Sequence, residues 1–99
     1  MRLATYGGME KMDVIAPLSA LAQPTRLGIF MAIAKERDGL NSTEIAEATG
    51  TPTNSTSAHL TVLRNAGLVK ATRKGRTVNY RAERHLVRSI ASFLGKTVD

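Results

Sequence analysis

The stretch "NSTSAHLTVLRNAGL", Asn54 to Leu68, combines features that seldom share one helix. Its opening turns are crowded with Ser, Thr and Asn, whose side chains compete for backbone hydrogen bonds and weaken helices. Yet Leu60 and Leu63 recur at helical spacing, and Gly67 is a good residue just past a helix end. On a helical wheel Thr56, Leu60 and Leu63 turn inward together, leaving Thr53, Asn54, Ser57, Ala58 and Thr61 facing out. Short side chains with donors, acceptors and a methyl group suit close approach to the base edges of a duplex. Asn54 can bond adenine, Ser57 and Thr61 can meet bases or phosphates, and the Ala58 methyl can pack on a thymine methyl. A solvated helix surface with no partner is the competing explanation.

Charge follows directly. The chain has 99 residues and a net charge of +6. From Arg64 to Arg88 there are 8 basic residues and only Glu83 as an acid, a sum of +7 that leaves −1 for the remainder. Such an excess right behind a polar helix points to a polyanion partner. Arg64 lies one turn beyond the outward face and suits phosphate, as do Arg73, Lys74 and Arg76. Phosphate contacts would supply affinity and register rather than sequence choice.

Other chemistries find less support. His59 has Ser55 four residues before it and Ser57 close by, but no acidic orienting group or oxyanion loop accompanies them, so no enzyme is expected. The chain has no cysteine, which removes disulfides and thiolate ligands and is compatible with a reducing cytoplasm. Two histidines with no spaced cluster make a metal site from His85, Glu83, Asp13 or Asp99 a weak alternative, and no cofactor is expected. The most apolar run, Leu27 to Ala34, is too short to cross a bilayer, so no membrane partner is expected.

The elements that position these residues read as follows. Residues 1–10 are expected to be a flexible arm, with Met9 and Met12 as alternative starts, and residues 11–99 a single domain. A first helix spans about Asp13 to Ala22, with Val14, Ile15, Leu18 and Leu21 as its stripe. Pro17 falls in its first turn if Asp13 is the cap. Pro24 opens a second helix to Lys35, apolar nearly all round and therefore central. Gly28 within it suggests close packing by a neighbour. Ser42 caps a short third helix that ends at Gly50, with Ile45 and Ala46 inward. Thr51 as cap and Pro52 open the fourth helix, to Ala66. The period then alternates: "LVKATR" and "TVNYR" predict two strands joined around Gly75. A closing helix carries Leu86, Ile90, Phe93 and Leu94 on one face. The expected class is mainly α with a small β-hairpin, in the order α-α-α-α-β-β-α, a winged helix-turn-helix.

These residues resemble the ArsR/SmtB family of winged-helix repressors over roughly Leu18 to Arg81. "LSALAQPTRLGIF", "STEIAEATG" and "SAHLTVLRNAGLVKATRKGRTVNY" carry the likeness. It implies a homodimer held by the first and last helices, and repression relieved by an inducer. It places Thr53, Asn54, Ser57 and Ala58 at DNA-contacting positions, with Ala58 where a His is common. Many members sense metal through a Cys-x-Cys-Glu-Leu-Ala box, which here reads "NSTEIA", with Asn41 and Thr43 at the cysteine positions. The His-based pattern of the family's zinc sensors is absent too. The expected signal is therefore a small molecule or a partner protein, and a constitutive repressor is the alternative.

In such a dimer Ile15, Leu18 and Leu21 would pack against Leu86, Ile90, Phe93 and Leu94 about a two-fold axis. Closure of the monomer's own core is the alternative use of the same stripes. The expected partner is double-stranded DNA bearing an imperfect inverted repeat. A non-specific, architectural nucleic-acid binder and a winged helix that contacts only protein are the competing functions.

Overall fold

Residues 8–99 are described by the structure, a computed structural model. Within them run α1 (Lys11–Leu21), α2 (Pro24–Ala34), β1 (Leu40–Asn41), α3 (Ser42–Thr49), α4 (Thr53–Asn65), β2 (Val69–Lys74), β3 (Thr77–Ala82) and α5 (Arg84–Lys96). The expected N-terminal arm falls largely on residues 1–7, outside the described residues. Of the rest of it, Met9 packs against the core and Glu10 is the cap of α1.

Helices α2, α3 and α4 pack on one another through side chains withdrawn from water. Ile29, Ile33, Ile45 and Leu63 are fully buried, Leu60 almost so. The one buried polar side chain among the described residues, Thr56, donates from Oγ1 to the Pro52 carbonyl at 3.0 Å, so its hydroxyl is satisfied within its own helix. Leu68, Val69, Leu86 and Ile90 extend this core under the sheet and α5.

Several boundaries differ from the sequence reading. The Asp13 carboxylate accepts the Glu10 N–H at 2.8 Å, so α1 starts at Lys11 and Pro17 lies in its second turn, buried, rather than its first. Asn41, not Ser42, caps α3: its Oδ1 accepts the Glu44 N–H at 2.9 Å, and Glu44 Oε1 accepts the Asn41 N–H at 2.8 Å. Pro52 is the cap residue of α4, which starts one position later than expected. Helix α2 is not apolar all round in use, since Leu27 and Met31 are 40% and 56% exposed. A Cβ on Gly28 would meet nothing within 4 Å, so no neighbour packs closely there.

The expected hairpin is the larger part of a three-stranded antiparallel sheet in the order β1-β3-β2. The missed edge strand β1 has two residues, too few for any alternation to show. Leu40 pairs with Tyr80 and Asn41 with Asn79. Just before it Gly39 has φ 83°, and a Cβ there would overlap the Tyr80 carbonyl and lie 2.6 Å from Asn79 Nδ2. Only glycine lets the α2–β1 loop lie this close to β3. The β2–β3 register runs from Val69 opposite Ala82 to Lys74 opposite Thr77. Two residues, Gly75 and Arg76, therefore make the turn, with Gly75 at φ 63° as a two-residue hairpin loop demands.

Candidate nucleic-acid interface

Helix α4 separates its residues cleanly. Thr56, Leu60 and Leu63 are buried, while Thr53, Asn54, Ser57, Ala58, Thr61 and Arg64 are all exposed. The Asn54 carbonyl oxygen accepts the Ser55 N–H at 2.9 Å, and the Thr61 hydroxyl donates to the Ser57 carbonyl at 3.1 Å. The Asn54 bond satisfies an otherwise unpaired N–H in the first turn, whereas the Thr61 bond is the back-bonding that does not strengthen a helix. They leave the Asn54 amide NH2, a second Asn54 lone pair and the Thr61 oxygen available to a ligand. Ser55, on the flank of the helix, is half-buried.

The wing tip holds Arg73, Lys74 and Arg76, all exposed. Arg73 Nη1 donates to the Gly75 carbonyl at 3.3 Å, and Thr77 Oγ1 to the Lys74 carbonyl at 3.1 Å, which ties the turn to both strands. Successive strand residues face opposite ways, so Arg73 and Lys74 leave the hairpin on different sides, with Arg76 at the end. Helix α4 packs against β2, which joins the polar face to this tip through one short connection.

The basic window does not stay together. Arg64, Arg73, Lys74 and Arg76 belong to α4 and the tip. Lys70, Arg81 and Arg84 instead line a separate cleft with Arg37, a residue outside the window. There Arg81 Nε donates to the Arg37 carbonyl at 3.2 Å and Arg84 Nη2 to the Ala34 carbonyl at 2.7 Å. Sequence proximity concealed this division, although a two-residue turn at Gly75 already implies that Lys70 faces Arg81.

His59 is half-buried, its Nδ1 3.4 Å from Arg26 Nη1. Arg26 Nε also donates to the Ala20 carbonyl at 2.6 Å, and Gln23 Oε1 accepts the Arg26 N–H at 2.6 Å. Arg26 thus ties the end of α1 and the start of α2 to α4. That role is invisible in "PTR" because its partners are backbone groups and a residue 33 positions away. His59 and Ser55 line an open polar cleft with Thr25, Thr49 and Thr51.

The box that would hold metal-sensing cysteines is used for helix capping, through Asn41 and Glu44. Among the described residues no three His, Asp or Glu side chains come together.

The residues expected at a dimer contact fall into two groups. Leu86 and Ile90 are 5% and 6% exposed and lie in this chain's own core. Leu18, Leu21 and Phe93 are half-buried against that core. Ile15 and Leu94 are 52% and 42% exposed. Met12, at 70% exposed, extends the open stripe on α1.

A three-helix core, a capped turn into an exposed polar helix and a cationic hairpin define a winged helix-turn-helix protein. A family described as "Helix-turn-helix domain" matches residues 21–71, from the end of α1 into β2. The chain belongs to that family, in its ArsR-like winged form. It is similar to the HTH-type transcriptional regulator KmtR of Mycobacterium tuberculosis, with 38% identity over 77 residues, covering 78% of this chain and 58% of KmtR. It thus spans less than two thirds of the length of the curated relatives it matches. An ArsR-like transcriptional regulator from Rhodococcus sp. RHA1 shares the fold, with a TM-score of 0.77 at 22% identity, covering 87% of this chain and 79% of the other. The homodimeric winged helix-turn-helix DNA-binding domain of Mb0332 from Mycobacterium bovis matches with a TM-score of 0.70 and 28% identity, covering 91% and 89% of the two chains.

Proposed function

We propose that this protein is a sequence-specific DNA-binding transcriptional regulator that acts as a homodimer and represses by covering a promoter. One observation carries the reading. Thr53, Asn54, Ser57, Ala58, Thr61 and Arg64 are exposed together on the side of α4 opposite its buried residues, with a cationic hairpin directly after it. The first turns of such a helix enter the major groove and the wing grips the flanking backbone. The named relatives are transcriptional regulators, and the Mb0332 domain is a homodimer, which supports the same assembly here. The exposed stripe of Met12, Ile15 and Leu94 supplies apolar surface for the contact. Leu18, Leu21 and Phe93 border it, while Leu86 and Ile90 hold α5 from beneath.

Two copies related by a two-fold axis present two recognition helices to two grooves about one turn apart, ~34 Å. The operator is then an imperfect inverted repeat. These 99 residues include no cysteine, so any inducer they bind is not held by a thiolate of theirs. A DNA-bound regulator of this kind works in the cytoplasm. Among the described residues no single helix is long and apolar enough to cross a membrane, and α1 with α2 reaches that length only across a 98° bend.

Fluorescence anisotropy with a labelled operator duplex tests the proposal. If each subunit neutralises about four phosphates, log K falls against log salt with a slope near −7. Replacing Arg73, Lys74 and Arg76 by Gln lowers that slope, and random-sequence duplex competes poorly. Equal competition by random duplex indicates an architectural binder instead. A flat salt response contradicts DNA binding through the wing.

A further inference from the structure

The cleft beneath the wing has no part in the proposed contact with DNA. It has a volume of about 390 Å³ and is lined by Arg37, Lys70, Thr72, Arg81, Glu83 and Arg84, so four cationic side chains meet one carboxylate. Lys70 and Arg81 stand directly opposite each other in the β2–β3 register. Like charges directly opposite across an antiparallel pair are destabilising, and two further guanidinium groups line the same cleft. Two of the guanidinium groups are held in place by single backbone bonds, Arg81 to the Arg37 carbonyl and Arg84 to the Ala34 carbonyl. Each keeps further N–H donors for another partner.

The position of the cleft separates it from the wing tip. Four residue steps along β2, or ~14 Å, divide Lys70 from Lys74 at the turn. The cleft lies instead where the end of α2, the base of the wing and the start of α5 meet.

We propose that this cleft binds a small, multiply charged oxyanion, a phosphate ester or a polycarboxylate, and that this anion is the regulator's effector. Its oxygens would accept from Lys70, Arg37 and the outer N–H groups of Arg81 and Arg84, with the Thr72 hydroxyl alongside. Bound there, it removes the repulsion between β2 and β3 and links the wing to α2 and α5. It therefore changes how firmly the wing is set relative to the last helix. As an effector site it rests on the DNA-binding reading; as an anion site it does not.

The experiment uses the whole chain, with pyrophosphate and citrate as separate probes and sodium chloride at matched ionic strength as the control. Thermal unfolding without DNA should show a saturable rise of ~4 °C or more with at least one probe and not with chloride. Pyrophosphate alone acting points to a phosphate ester, citrate alone to a polycarboxylate. The variant Lys70→Gln should unfold at a higher temperature than the wild type when ligand-free, because the opposed charges are gone. With Arg37→Gln added, the response to either probe should disappear. The double variant should keep the wild-type salt slope for duplex binding, and the active probe should shift duplex affinity only in the wild type. The proposal is overturned if neither probe exceeds chloride, or if the double variant responds like the wild type. It is equally overturned if the salt slope drops in the double variant, since the cleft would then hold DNA phosphate. An active probe that leaves duplex affinity unchanged removes the effector role. A wild type that binds the probe but no duplex defeats the DNA-binding reading and, with it, that role, while the anion site itself stands.

Discussion

Asn54, Ser57 and Ala58 owe their availability to what they lack. None has a long side chain, and none faces the core, where Thr56, Leu60 and Leu63 hold the helix. Base edges carry a distinct donor and acceptor pattern in the major groove, and Asn is matched to adenine. Asn54→Ala should therefore cost ~1–3 kcal/mol at one operator position and leave the salt slope unchanged. Competition with duplexes altered one base pair at a time measures it; a uniform loss across all sequences would mean that Asn54 contacts the backbone. Ala58 offers only a methyl group, so in the proposed complex discrimination at its position would come from shape and apolar contact.

Elements were legible where a repeat of apolar residues ran long enough to show its period. Leu60 and Leu63 with Thr56 marked the buried side of α4, and the alternation after Gly67 marked the hairpin. Legibility failed where one or two residues decide the outcome. A two-residue edge strand carries no alternation, and whether Asn41 or Ser42 caps α3 depends on which side chain reaches the Glu44 N–H. Asn41→Ala should cost ~1 kcal/mol, by loss of that side-chain bond, while the reciprocal bond from the residue 41 backbone N–H to Glu44 remains. Ser42→Ala should stay within ~0.5 kcal/mol. Urea unfolding of the two variants checks this, and equal losses would assign the cap to both positions. Asn41 and Glu44 cap α3 without any cysteine in the segment "NSTEIA".

At the scale of the molecule, the contiguous basic window of the sequence divides into two groups in space, with Arg88, exposed on α5, outside both. One group lies on α4 and the hairpin tip; the other lines the cleft shared with Arg37. That division could not be read from charge spacing, because it depends on the α2–β1 loop lying against β3 at Gly39. The dimer stripes were only partly separable in the sequence for a related reason. One amphipathic face of α5 both closes the core through Leu86 and Ile90 and reaches solvent at Leu94. In the proposed complex two copies read one duplex with the exposed polar sides of their fourth helices. Selection of bound sequences from a random duplex pool by the purified chain tests it most directly. Enrichment of an imperfect inverted repeat, with half-sites about one helical turn apart, is the predicted result. A pool that stays random, or that yields an isolated half-site with no symmetry mate, would contradict it.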